Sequence, residues 1–414
     1  MLAKLALRSL LDRKGSVLLS LMAMTVSIFV LLGIEHIRHQ TKENFSNTVS
    51  GVDLIVGART GSLNLLLYSV FRIGSPTNNI RWETFEHIAS SNKVKWAIPI
   101  SLGDSHKGYR VLGTTTDYFE HFSFGKQHSL VLAKGRVFDQ VFDVVLGANV
   151  AKKLGYQLGD KVTLAHGIAT TSFSLHDDRP FTVVGILAAT GTPVDQTLHV
   201  SLKGIEAIHI DWQQGVKVRN STLTQAQLEQ AELQPKSITA FMLGLQSRMS
   251  TFPFQRSIND YAQEPLVAIL PGVALSELWQ MLSLLENTLL LVSALVFIAA
   301  CLGVSAMLLA SIRERSREIR LLRVIGAPPY MLFLLIELEA LLITLFSCIL
   351  GIGLLALCLV SLQGYLVSHF GLHIQLNLLT ENSLYLIAAV VVVSIVVAVI
   401  PSFSGYRKAN IKSL

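Results

Sequence analysis

From Val17 to Ile34, eighteen consecutive residues carry no charge. A run of about that length is what a helix needs to cross roughly 30 Å of hydrocarbon. Three more uncharged runs follow at Leu289–Leu309, Ala340–Leu362 and Leu384–Ile400, the third approached through a partly polar stretch from Tyr330 and the fourth ended by Pro401. The fourth is rich in Val and Ile, yet its seventeen residues far exceed a strand of about 5–6. A mean hydropathy of +0.51 with 15% charged residues agrees with membrane residence. The first run is longer than the apolar core of a signal peptide, and Glu35-His36-Ile37-Arg38 follows where small cleavage-site residues would stand. The sequence therefore predicts a retained anchor.

Orientation follows from the basic residues. Segments 1–16, 310–330 and 402–414 together carry a net +9, against +6 for the whole chain, so everything else totals −3. The basic excess is a topology signal and not a nucleic-acid footprint. It places both termini and the 310–330 loop in the cytoplasm. The expected layout is a basic cytoplasmic segment 1–16, a span at 17–34, an outer domain with stalk at 35–285, a span at 286–310, a cytoplasmic loop at 311–329, a span at 330–362, an outer loop at 363–383, a span at 384–401 and a tail at 402–414. The fold class is thus a four-helix membrane protein, 1 + 3, with a large α+β domain inserted between the first two spans.

Cys301, Cys348 and Cys358 all fall within predicted spans, so no disulfide staples the outer domain. Its roughly 250 residues suffice for a core without one. Strands are expected at Val52–Val56, Val94–Ile100, Val144–Leu146, Lys161–Ala165, Phe181–Leu187 and Thr197–Leu202, and helices at Arg81–Ser91, Ala148–Leu154 and Leu202–Gln213. The Gln-rich stretch Ser221–Gln234 reads as an exposed helix or lobe. Apolar periodicity from Leu275 to Asn287 runs into the second span and predicts a continuous helical stalk. At the other end, Leu2–Leu11 suits a short helix on the cytoplasmic membrane surface or a plain basic flank.

The segment Ser311 to Pro328 carries five arginines with Glu314 and Glu318. Helical spacing sets Ile319, Leu322 and Ile325 near one face, and Gly326 suits the end of a helix before Pro328. Such a basic loop could simply enforce topology, or it could be a surface on which a cytoplasmic partner pushes. The run Arg317-Glu318-Ile319-Arg320-Leu321-Leu322-Arg323-Val324-Ile325-Gly326-Ala327, with Glu337 in the next span, resembles the coupling region of the FtsX/MacB-like permease family, the lipoprotein-release and macrolide-exporter type of ABC transporter. Val145-Leu146-Gly147-Ala148, Leu154-Gly155, Gly159-Asp160-Lys161-Val162 and Phe181–Leu187 are similar to the strand-helix-strand order of that family's outer domain. The 1 + 3 topology matches throughout.

That resemblance implies a permease subunit in the bacterial inner membrane, paired with a second permease copy and bound to a cytoplasmic ABC ATPase dimer. A periplasmic or lipoprotein partner is a further expectation. ATP and Mg would sit on the ATPase, because no phosphate-cradling G-x-x-x-x-G-K-[ST] occurs here. Nor is there a G-x-S-x-G elbow or a paired-carboxylate signature, so this chain is expected to be no enzyme. The implied function is to couple ATP use in the partner to movement of the outer domains, for transport or extraction of an envelope substrate. The alternatives are a mechanotransmitter that moves nothing, or a component of a zinc-uptake or zinc-limitation system. The residues expected to couple to the ATPase are Arg313, Glu314, Arg317, Glu318, Arg320, Arg323, Gly326 and Glu337.

Glu337 and Glu339 lie two residues apart, about 200° around a helix, and so cannot share one partner. Glu337 reads as a brace for the Arg-rich helix or as an interfacial acid. Glu286 reads as interfacial at the outer end of its span. Ala299, Gly303, Gly351 and Gly353 would admit close helix approach. All twelve histidines fall outside by this topology. The densest candidate metal cluster is His176, Asp177, Asp178, Asp195 and His199, an open zinc site if pairing of the two flanking strands brings them together, and otherwise a hydrogen-bonded loop. The aromatic stretch Tyr118–Phe124 either packs into the core or meets an apolar ligand or partner.

Overall fold

A computed structural model describes residues 2–46, 48, 50–125, 127–167, 179–210, 212–213, 216–217, 233–314, 328–370 and 377–410. The chain divides into two compact units. One holds the apolar helices and the other the inserted domain.

In the helical unit, α1 (Leu2–Asp12) leads into α2 (Lys14–Ser46). After the inserted domain come α9 (Pro271–Glu314), α10 (Pro329–Phe370) and α11 (Glu381–Asn410). All four long helices are apolar and long enough to cross a membrane. The apolar periodicity from Leu275 into the second span lies in one unbroken 44-residue helix, about 66 Å at 1.5 Å per residue. A buried core from Met24, Ile28, Phe297, Val304, Ile343 and Val390 holds these helices together. Exposed Leu, Ile and Val cover the outside, as a lipid-facing surface requires.

Hydroxyl groups stitch the bundle. Ser347 donates to the Leu21 carbonyl at 3.3 Å, and Thr344 meets Ser394. Pro401 corrects one expectation: it does not stop the last helix, which runs on to Asn410. A proline in a helix leaves the carbonyl four residues back without its donor. That carbonyl belongs to Val397, and Ser305 Oγ of α9 donates to it at 3.3 Å. A neighbouring hydroxyl thus replaces the missing backbone bond, which is how apolar surroundings tolerate an interior proline. Of the small residues, Gly351 lies where a Cβ would come within 3.1 Å of Ile28, whereas Gly303 and Gly353 face open space.

The inserted domain is built on one mixed sheet. Its longer strands are β1 (Leu54–Ala58), β2 (Val94–His106), β3 (Tyr109–Thr114), β4 (Leu132–Gly135), β5 (Asp143–Leu146), β6 (Phe181–Leu187), β7 (Thr197–Ser201), β8 (Ala240–Leu245) and β9 (Leu266–Ile269). They run in the order β9-β1-β8-β2-β3-β7-β5-β6-β4. Pairs β5/β6 and β3/β7 are parallel and the others along this path antiparallel. The thirteen-residue β2 belongs to both halves: Val94–Ile100 pair with β8, and Ser101–His106 pair with β3 across a bulge.

Around the sheet lie α3 (Ser62–Leu66, continued as a π turn to Phe71), α4 (Trp82–Ala89), α5 (Asp117–His121), α6 (Ala148–Leu154), α7 (Leu202–His209) and α8 (Thr251–Asn259). The glycines in two sequence motifs have steric reasons. A Cβ at Gly147 would stand 2.3 Å from the Val194 carbonyl oxygen, and one at Gly185 would stand 2.2 Å from that of Arg136. The stretch expected at Lys161–Ala165 is two short strands, Lys161–Val162 and Ala165–His166. The helix expected over Leu202–Gln213 ends at His209. Most of the Gln-rich stretch lies outside the described residues.

Candidate functional site

In the helical unit, the geometry that could receive force lies around the start of α10. Arg313 occupies the exposed last turn of α9, and Glu314 ends that helix. Arg317, Glu318, Arg320, Arg323 and Gly326 lie outside the described residues. Glu337 is half-buried and faces the Ser402 hydroxyl of α11 without reaching hydrogen-bond geometry; both of its oxygens lack a hydrogen-bond partner among the described residues.

Glu339 has the opposite surroundings. Its side chain is 4% exposed, and it receives Arg13 Nη2 at 2.9 Å on one oxygen and the Ser9 hydroxyl on the other. Arg13 Nη2 also donates to Ser9 Oγ at 3.0 Å, and Arg13 Nη1 lies 4.0 Å from the Met307 sulfur. The elbow between α1 and α2 is therefore tied to α10 and touches α9. An ion pair this well hydrogen-bonded is the form in which apolar surroundings accept two charges. Reading the sequence singled out Glu337 and missed this knot. Its signal was present: an acid close to the start of one apolar run, and an arginine just outside another.

A second ion-pair cluster closes the other end of the bundle. Arg38 Nε donates to Glu286 at 2.9 Å and Arg38 Nη1 reaches Glu35 at 3.3 Å. Glu286 is thus a paired acid linking α2 and α9.

In the inserted domain, two of the metal candidates, Asp195 and His199, lie among the described residues. The Asp195 carboxylate accepts from Thr190 N, Thr190 Oγ1 and Gly191 N at 2.8–3.0 Å, closing the loop before β7. His199 is fully buried in β7, its ring 5.3 Å from that of Tyr118 and 5.9 Å from that of Phe119. Burial, helped by the Arg72 guanidinium, pushes its pKa down to about 3, so the ring is neutral. His176, Asp177 and Asp178 lie outside the described residues. The described pair thus serves a loop and a core.

The stretch Tyr118–Phe122 resolves toward the core, with Tyr118, Phe119 and Phe122 all buried. On the same turn, Asp117, Glu120 and His121 bring donor atoms within 4.8 Å of one another. Asp117 already accepts from Thr115 Oγ1 at 3.0 Å, and His121 stacks on Trp96 at 5.4 Å.

Comparison with known proteins matches residues 17–236 to the family model of the MacB-like periplasmic core domain and residues 290–411 to that of the FtsX-like permease C-terminal region. Among solved structures, the periplasmic region of MacB from Actinobacillus actinomycetemcomitans is similar at 11% identity and a TM-score of 0.34, over 56% of this chain and 94% of that one. The extracellular domain of the noncanonic ABC-type transporter YknZ from Gram-positive bacteria is similar at 12% identity and a TM-score of 0.31, over 53% and 98%. No curated protein gives a significant match.

Proposed function

The chain belongs to the FtsX/MacB-like family of ABC-transporter permeases, whose periplasmic-core model alone matches more than half of it, and we propose that it relays ATP binding and hydrolysis in a separate cytoplasmic ATPase dimer to movement of its inserted domain. The relay would serve transport or extraction of an envelope substrate from the inner membrane, in a complex with a second permease copy. The observation that carries this reading is α9, a single helix that begins two residues after strand β9 of the inserted domain and ends at the Arg-rich segment. A continuous helix is stiff along its axis, so displacement at one end is delivered to the other.

In this reading the segment with Arg313, Glu314, Arg317, Glu318, Arg320, Arg323 and Gly326 receives the ATPase. The Glu337 carboxylate, whose oxygens lack a hydrogen-bond partner among the described residues, is available to brace one of those guanidinium groups, while the Arg13–Glu339 pair keeps the α1–α2 elbow fixed to α10. Family members of this type are generally non-catalytic on the permease chain, and hydrolysis is assigned to the partner.

Charge reversal at Arg317 and Arg320 tests the assignment. The full chain carrying both changes should insert normally and lose copurification of its ATPase. Undiminished association would refute the coupling surface. Reconstitution with the ATPase then separates two outcomes: substrate movement across vesicles supports transport, whereas ATPase stimulation without movement supports a transmitter acting on an outer partner.

A further inference from the structure

Two adjacent cations at the α1–α2 elbow have divided roles. Arg13 turns inward to Glu339. Lys14 is exposed and makes no ion pair among the described residues. It stands at the rim of a groove of about 300 Å³ bounded by α1, α2 and α10, all within the helical unit. Apart from Lys14, the groove is lined only by apolar side chains, among them Leu7, Leu11, Leu18 and Phe346. Those four are 42–56% exposed, so the groove opens to the surroundings of the bundle.

The direction of this groove is informative. Its α2 lining residues, Val17, Leu18 and Leu21, lie three to seven residues beyond Lys14, about 5–10 Å deeper along a helix. The charge is therefore at one end, and hydrocarbon extends from it into the membrane. Lys14 is the one charged side chain among the residues that line the groove, so its rim carries a positive charge.

We infer that this groove binds an anionic phospholipid of the cytoplasmic leaflet, with its phosphate on the Lys14 ammonium and the upper part of one acyl chain against Leu18 and Phe346. The match is one of charge and shape together. An unpaired ammonium at the membrane surface favours an anionic headgroup, and an apolar trough beneath it takes a chain without leaving polar groups unsatisfied. The lipid then packs against the elbow whose other face carries the Arg13–Glu339 pair.

The test uses the full chain in phosphatidylcholine vesicles with Phe346→Trp as a reporter, its signal taken relative to the chain with only its native tryptophans. Brominated phosphatidylglycerol should quench the reporter at about five-fold lower mole fraction than brominated phosphatidylcholine, the preference one lysine contributes near an anionic headgroup. Lys14→Gln should abolish the preference and Lys14→Arg should keep it, with helical content by circular dichroism confirming that both variants fold. Equal quenching by the two lipids would overturn the proposal in favour of unselective lipid contact. Absence of quenching by either, with a disulfide forming between copies carrying Leu18→Cys, would overturn it in favour of a second copy. A preference erased by millimolar inorganic phosphate would overturn it in favour of a simple anion site.

Discussion

The Arg13 guanidinium meets Glu339 at 2.9 Å inside the helical unit, with the Ser9 hydroxyl on the second carboxylate oxygen. Each oxygen of this carboxylate thereby has a donor near the point where α1 turns into α2. Removing one partner leaves a buried charge, which typically costs about 3–5 kcal/mol, whereas replacing both by apolar residues of similar volume is far less harmful. Arg13→Ala or Glu339→Ala should therefore lower the thermal midpoint in detergent by much more than the double change Arg13→Met with Glu339→Leu. Additive losses in the double variant would show that the two residues do not act as a pair.

Ser305 and Pro401 form a second coupled pair, through the Val397 carbonyl. Ser305→Ala should cost about 0.5–1.5 kcal/mol, the range of interhelical hydrogen bonds in membrane proteins. The cost should nearly vanish on a Pro401→Ala background, because alanine restores the backbone N–H that bonds Val397. A double-mutant cycle on unfolding in mixed micelles reads this coupling, and independent effects of the two changes would dismiss it.

Much of this architecture was legible in the sequence, for reasons that particular residues make plain. The uncharged runs from Val17, Leu289, Ala340 and Leu384 announce their helices because hydrocarbon thickness sets a length and a composition at once. Strand Phe181–Leu187 was legible over its full span because its β-branched run stands between Pro180 and a polar loop. Strands β3, β4, β8 and β9 were missed. In β8, Ala240–Leu245, every residue is buried, so the sequence shows an apolar run without the alternation that marks a half-exposed strand. Of the candidate site, the sequence flagged Glu337 by its place near an Arg-rich segment, but pairing between Arg13 and Glu339, 326 residues apart, is a property of helix packing. No local spacing encodes it.

His199 gives the inserted domain a defined acid sensitivity. Its pKa is held down to about 3 by burial and by Arg72, against about 6.5 in an unfolded chain. The unfolded chain therefore binds a proton between those values that the folded domain excludes. Stability from this site is fully present above pH 6.5 and falls as pH drops toward 3, with a slope approaching about 1.4 kcal/mol per pH unit. Hydrogen exchange in Thr197–Ser201 of the full chain should accelerate, relative to the intrinsic rate, as pH falls from 6.5 to 4.5. His199→Leu should flatten that dependence. An unchanged slope in the variant would assign the acid sensitivity to other groups.

Two glycines separate steric need from mere composition. At Gly147 an added Cβ would stand 2.3 Å from the Val194 carbonyl oxygen and 2.6 Å from the Asp195 backbone. Neither is the yielding end of a flexible side chain, and Asp195 is fixed by its bonds to Thr190 and Gly191. Gly147→Ala must therefore shift strand β5 away from the loop before β7, at a cost of about 1–3 kcal/mol, the range for overpacked cores. Gly303 lies mid-helix in α9 with nothing within 4 Å of the added Cβ. There alanine removes the conformational freedom of glycine without a clash and should stabilise the helix by up to about 1 kcal/mol. Thermal unfolding of the two variants should thus shift in opposite directions. A loss at Gly303 comparable to that at Gly147 would mean that an unseen neighbour, such as a second copy, approaches α9 at that point.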